Sequence, residues 1–223
     1  MENIFETRTA TEIRANTETG IISGTAIVFN QESNLLGGQF REIIKPEAAT
    51  EEFLRSQDIV MKFNHQPDSI LARYRSDGQR NSLSFNVDER GVNFSFKAKT
   101  KDAGLLESIN AGDINAASFA FRVSPEPKSE NWEKRNDGTY LRTISKFDVV
   151  KDFSLVIDPA YSATSISMRG LDELKAKEEA DKLIKEEEER KAQEQLKRNE
   201  EEQKNRLADY YKKYEDKINQ LKK

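Results

Sequence analysis

Apolar and polar residues alternate along much of the first 170 positions, with the period of two that a half-buried strand requires. In "QRNSLSFNVDERGVNFSFKAK" (79–99), Leu83, Phe85 and Val87 are answered by Val92, Phe94 and Phe96 across Asp88–Gly91, which predicts a hairpin with a glycine-containing turn. "GIISGTAIVFN" (20–30), "NAASFAFRV" (115–123) and "YLRTISKFDVVKDFSLV" (140–156) are further strand candidates, the last two separated by the polar, turn-forming stretch "SPEPKSENWEKRNDG" (124–138). Two short helices fit the remainder. "PEAATEEFLRS" (46–56) has proline in its first turn, and "DAGLLESINAG" (102–112) is closed by Gly112. An α+β domain follows, built on an antiparallel, barrel-like sheet.

After Gly170 the pattern changes. Residues 171–223 contain neither glycine nor proline, and carry 16 acidic and 15 basic residues among 53. Glu, Lys, Ala, Gln, Arg and Leu favour a helix there, but so few apolar residues cannot form a core. Leu207, Tyr211, Tyr214, Ile218 and Leu221 step by four and three like one seam of a coiled coil. The same register meets Lys204, Glu200 and Lys197 further back, so the reading is a long solvated helix whose last turns can pair, with a plain charged spacer as the alternative. The expected organisation is an N-terminal extension (1–19), a folded domain (20–169) and a charged helical tail (170–223).

Composition narrows the chemistry. The net charge of −4 offers no broad basic field, so nucleic acid is not an expected partner. The lack of cysteine excludes disulfides, thiolate metal sites and a cysteine nucleophile, and fits synthesis in a reducing compartment. No apolar run reaches the roughly 18–20 residues of a membrane span, and Met1–Thr11 is too polar for a secretory signal, so a soluble chain with no membrane partner, intracellular where it is made, is expected. One histidine, His65, leaves only carboxylates as metal ligands, and their spacing matches no metal motif; neither metal nor cofactor is expected.

Three stretches hold candidate chemistry. His65 lies in "NHQPD", where a turn residue would be commonplace. Ser118 places a hydroxyl among small and aromatic residues in "NAASFAF", where a serine often only satisfies a neighbouring backbone group. Lys151–Asp152 interrupts the apolar run of "VVKDFSLV"; a carboxylate buried there needs a partner, whereas on an exposed face it needs none. Serine is a poor nucleophile without a base in hydrogen-bond reach, and this chain has a single imidazole to offer.

In order along the chain stand "GTAIVFN", then Glu42, Ile44, Pro46 and Ala48, "NH" ahead of "ILAR", "SFNVDERGVNFSF", "INAGDINAASFAF" and "DFSLVIDPA". Over about residues 20–168 this series resembles the prohead (capsid maturation) proteases of tailed phages, whose fold is similar to that of herpesvirus assemblin. The resemblance implies His65 as base and Ser118 as nucleophile. Its third member is an acid before "SLV", usually Glu followed by Val, where this chain has Asp152 followed by Phe153. It further implies an oxyanion-binding loop beyond the nucleophile strand, which Arg122 or Arg142 could support if they are not ordinary ion-pair arginines. The expected activity is that of a serine endopeptidase cleaving major capsid protein and scaffold segments, its own chain included as a candidate, inside the assembling procapsid in the host cytoplasm. The tail would then be a scaffold-like segment, and self-association is expected. A noncatalytic scaffolding protein that keeps the fold is the rival from another class.

Overall fold

The computed structural model describes residues 5–10, 12–157 and 165–221. It divides into two units, Met1–Met168 and Arg169–Lys223. Among the described residues the first unit contains twelve strands in three sheets. The strands are β1 (Glu6–Ala10), β2 (Ile13–Asn16), β3 (Ile21–Val28), β4 (Phe40–Ile44), β5 (Ile59–Phe63), β6 (Ile70–Tyr74), β7 (Leu83–Val87), β8 (Gly91–Lys97), β9 (Ala116–Val123), β10 (Glu130–Lys134), β11 (Tyr140–Ile144) and β12 (Phe147–Val156). The five-stranded sheet runs β1-β9-β12-β5-β6, the four-stranded sheet β2-β3-β8-β7 and the three-stranded sheet β10-β11-β4. Two short helices, α1 (Glu51–Arg55) and α2 (Gly104–Ala111), join strands, and each follows a turn of 3₁₀ helix, at Pro46–Ala49 and Thr100–Asp102.

The fold is α+β, as the alternation implies, but the sheet is neither wholly antiparallel nor closed among the described residues. The pairs β5–β12 and β4–β11 are parallel, and the strands fall into three sheets instead of one barrel-like surface. Long crossovers make such pairs possible, and no local pattern announces them. The 83–97 hairpin has the expected register, with Asp88 Oδ1 accepting the N–H groups of Arg90 and Gly91 at 2.8 and 3.0 Å. Gly112 closes α2 at φ 85°, where an L side chain would be strained.

Phe119, Phe121, Phe153, Leu155, Ile59 and Met61 from the five-stranded sheet meet Ile22, Ile27, Phe94 and Phe96 of the four-stranded sheet in one buried cluster. Gly24 on β3 lets the chain between β1 and β2 approach closely, since a Cβ there would lie 2.4 Å from the carbonyl oxygen of Glu12.

Glu6–Ala10 and Ile13–Asn16 form β1 and β2, although the sequence reading placed them in an extension before the domain. Hydropathy misses β1 because two of its three inward side chains are charged. Glu6 and Arg8 are buried with Glu42 of β4 and Arg142 of β11. Arg8 donates from Nε and Nη2 to the two carboxylate oxygens of Glu42, both at 2.7 Å, and from Nη2 to Glu6 at 2.9 Å. Arg142 Nη1 donates to Glu6 at 2.6 Å and to Glu42 at 3.0 Å, while its Nε donates to Glu130 of β10 at 2.6 Å. Phe121 and Trp132 lie against the Arg8 and Arg142 guanidinium groups. Burial pushes the Glu6 carboxyl up, but Arg142 and Arg8 outweigh it and hold Glu6 below the ordinary 4.5. Burial likewise pushes Arg142 down, and Glu6, Glu42 and Glu130 more than reverse that.

Helix α3 (Ser165–Leu221) is continuous for 57 residues, about 85 Å at 1.5 Å per residue. Leu183, Ile184, Leu196, Leu207, Tyr210 and Tyr211 are exposed on it. Of the seam read from sequence, Leu207 and Tyr211 are therefore solvent-facing; the side chains of Tyr214, Ile218 and Leu221 lie outside the described residues, as do Asp158, Pro159 and Ala160 of the "DPA" motif.

A depressed carboxyl stabilises the fold fully above its unfolded value, and that contribution is lost as pH falls through the lower folded value. Urea unfolding should therefore show wild type losing stability below about pH 4.5, with Glu6→Gln less stable than wild type at pH 7 and closer to it at pH 3. Arg142→Met, which leaves two buried glutamates to share Arg8, should cost about 3–5 kcal/mol at neutral pH.

Candidate active site

Ser118, His65 and Asp152 come from three adjoining strands or their ends. β12 lies between the other two, antiparallel to β9 and parallel to β5. In this register Ser154 is opposite Ser118 on one side and Lys62 on the other, and Asp152 is opposite Ala120 and Val60. Side chains at directly paired positions share a face, so Ser118, Asp152, Ser154 and Lys62 all point to the same side of the sheet. Phe119, Phe153 and Leu155, from the alternate positions, point into the core.

A β-bulge makes this possible. Val150 pairs with Phe121 and Asp152 with Ala120, so Lys151 is the extra residue. Before the bulge Val150 points inward; after it the parity has changed, and Asp152 is turned toward the site while Phe153 takes the inward place. The interruption of the apolar run at Lys151–Asp152 is the sequence trace of this bulge.

His65 is delivered by a turn. Gln66 N–H donates to the Phe63 carbonyl at 3.0 Å, and the two central residues, Asn64 and His65, have φ of 49° and 55°. Positive φ at both positions is the primed turn geometry that asparagine tolerates well and most side chains resist. Three bonds to β12 and the residue after it fix the turn. Asn64 N–H donates to the Leu155 carbonyl at 2.9 Å, Asn64 Oδ1 accepts from Ile157 N–H at 3.3 Å, and Ser154 Oγ accepts from His65 N–H at 3.0 Å.

The imidazole then spans the two candidate partners. Nε2 is 2.8 Å from Ser118 Oγ and Nδ1 is 2.5 Å from Asp152 Oδ1. An ionised carboxylate only accepts, so Nδ1 carries the proton in the neutral ring and Nε2 presents its lone pair to the serine hydroxyl. Asp152 and Ser118 are each 3% exposed, whereas a quarter of the His65 side chain remains accessible. The structure brings all three of these sequence-predicted residues into one bonded chain, and they offer a nucleophile, a general base and an orienting acid.

Two further residues take part without having been singled out from sequence as partners in the site. Ser154 holds the His65 backbone, and Lys62 Nζ donates to Asp152 Oδ2 at 3.0 Å. A lysine in the apolar run "IVMKF" was the available signal for the second. Arg142 belongs to the buried ionic cluster, and Arg122 forms an ion pair with Asp148, its Nε 2.7 Å from Oδ2. Among the described residues, no group of three or more His, Cys, Asp or Glu is placed to hold a metal ion.

A family model described as Caudovirus prohead serine protease matches residues 5–177. The match begins with the strand that carries Glu6 and Arg8 and extends into α3. Comparison with curated proteins and with solved structures gives no match.

The turn geometry has a measurable cost. Asn64→Gly and Asn64→Ala both remove the acceptor for Ile157 N–H, but only alanine must also hold a Cβ at φ 49°. Asn64→Ala should unfold more easily in urea than Asn64→Gly by about 1–2 kcal/mol, and equal stabilities would show that the left-handed geometry is not retained.

Proposed function

The chain belongs to the caudovirus prohead serine protease family, and from that premise we propose that it is a serine endopeptidase that cleaves major capsid protein and scaffold segments inside the assembling procapsid. The observation that carries the reading is the unbroken hydrogen-bonded series from Ser118 through His65 to Asp152. The Ser118 hydroxyl attacks the scissile carbonyl carbon as its proton passes to His65 Nε2. Asp152 holds the ring by its Nδ1–H and stabilises the imidazolium. Collapse of the tetrahedral intermediate breaks the C–N bond, with the same proton delivered to the leaving amine, and leaves an acyl ester on Ser118. Water, deprotonated by His65, then releases the acid and restores the serine. Aspartate in place of the usual glutamate is compatible with this geometry, because β12 brings its shorter side chain within 2.5 Å of the ring.

The long charged helix supports a second element of the proposal. Beyond residue 177 it is outside the family match, and its described side chains are exposed from Glu179 to Lys212. We assign it to assembly: pairing of copies or docking into the scaffold lattice, through its sparse exposed Leu, Ile and Tyr residues.

Coexpression with the capsid precursor tests the enzyme. Ser118→Ala and His65→Ala should each abolish processing, and the double variant should be no worse than either, as expected for groups acting as a unit. Asp152→Asn should keep the fold and lower the rate by about 10³–10⁴-fold. Processing that survives Ser118→Ala would move the reading to the noncatalytic scaffold. Shortening the chain to residues 1–177 should leave the cooperative melting transition of the sheet unit in place and reduce its recovery in purified procapsids; undiminished recovery would remove the assembly role of the helix.

A further inference from the structure

The bonded series does not end at Asp152. Its Oδ1 accepts from His65 and its Oδ2 from Lys62, whose side chain is 11% exposed. Burying an ammonium and a carboxylate together carries a desolvation cost that an apolar residue at this position would avoid, and the neighbour on the same face of β5, Val60, is apolar. The lysine is therefore not explained by packing. What it does is mechanical and electrostatic. A carboxylate bonded through one oxygen can still turn about its Cβ–Cγ bond, whereas one bonded through both oxygens presents a fixed edge. The ammonium also offsets the negative charge that the imidazole senses.

We propose that Lys62 is a positioning residue of the reaction, fixing the Asp152 carboxylate edge-on to His65 and offsetting its negative charge beside the imidazole. This rests on the reading of Ser118, His65 and Asp152 as a peptidase triad. The charged groups bonded at this centre are Asp152 from β12 and Lys62 from β5; Ser118 of β9 and Ser154 of β12, which face the same turn, are neutral. Removal of the cation leaves the carboxylate charge uncompensated beside His65 and favours the imidazolium. A protonated base cannot accept the serine proton, so the acid limb of the rate profile moves to higher pH.

His65 is the only histidine, so in the full-length chain one imidazole ring signal reports the titration by ¹H–¹³C NMR without assignment. The measurement is made on Ser118→Ala protein, alone and combined with Lys62→Met, Lys62→Gln or Lys62→Arg. In parallel, kcat/KM for a peptide from the capsid precursor is followed against pH in the chain that keeps Ser118. Lys62→Met and Lys62→Gln should raise the imidazole midpoint by about one pH unit and shift the acid limb of kcat/KM equally, while Lys62→Arg restores both toward wild type. An unmoved midpoint in folded Lys62→Met or Lys62→Gln overturns the assignment, as does failure of both variants to fold, which would make the lysine a structural requirement alone. A shifted midpoint in a chain whose wild type cleaves no peptide would support the Lys62–Asp152–His65 coupling and overturn the peptidase reading instead.

Discussion

The site depends on the double pairing of β12. That strand is hydrogen-bonded on one side to the strand that bears Ser118 and on the other to the strand that leads into the His65 turn, and it carries Asp152 and Ser154 itself. Register in a sheet buried on one face is strongly specified, because a slip of one residue would send Phe153 and Leu155 outward and Asp152 into the core. The same hydrophobic burial that stabilises the sheet therefore sets the distances between Ser118, His65 and Asp152. The bulge at Lys151 is the local adjustment that reconciles an inward Val150 with an outward-facing Asp152.

A second constraint secures the outer edge of this sheet. β1 is an edge strand beside β9, and its sequence, "ETRTA", has little hydrophobic content with which to stay there. Arg8 and Glu6 supply the attachment by meeting Glu42 and Arg142 from the three-stranded sheet. Every described charge in the cluster has an opposite partner, and the bidentate geometry of Arg8 on Glu42 adds direction to attraction. The arrangement trades hydrophobic burial for a fixed mutual position of two sheets, and that position keeps the neighbour of the Ser118 strand in register.

Much of this was legible in the residues and some was not. The 83–97 hairpin, β3 and β9 followed from their runs of apolar and β-favouring residues, and the helical tail from helix-favouring composition without glycine or proline. Ser118, His65 and Asp152 each break a local pattern, but each alone has an ordinary structural reading; it was the resemblance of the ordered motifs to the prohead proteases that singled out the three together. β1, β2, β4, β6 and β10 were not read as strands: in β1 ion pairs replace the apolar face, and in β10 "ENWEK" has one large apolar side chain, Trp132. Parallel pairing of residues nearly a hundred positions apart leaves no periodic trace, so neither three separate sheets nor the contact between Lys62 and Asp152 was readable. Lys62 drew no notice in the sequence because its partner, Asp152, is supplied by tertiary structure alone.

The parallel contact of β5 with β12 also bears on when the site comes into being. Residues 65, 118 and 152 are joined only after strands distant in the chain have met, and β1 pairs with β9 across more than a hundred intervening residues. Closing loops of this length costs conformational entropy before any bond repays it, and topologies dominated by such contacts fold in milliseconds to seconds, slower than helical chains of similar size. The helix past residue 177, by contrast, consists of local contacts that form in about a microsecond. Synthesis runs from the N-terminus, so the helix is made last and orders at once by local contacts, whereas Ser118, His65 and Asp152 come together only when nearly the whole sheet unit has been made and paired.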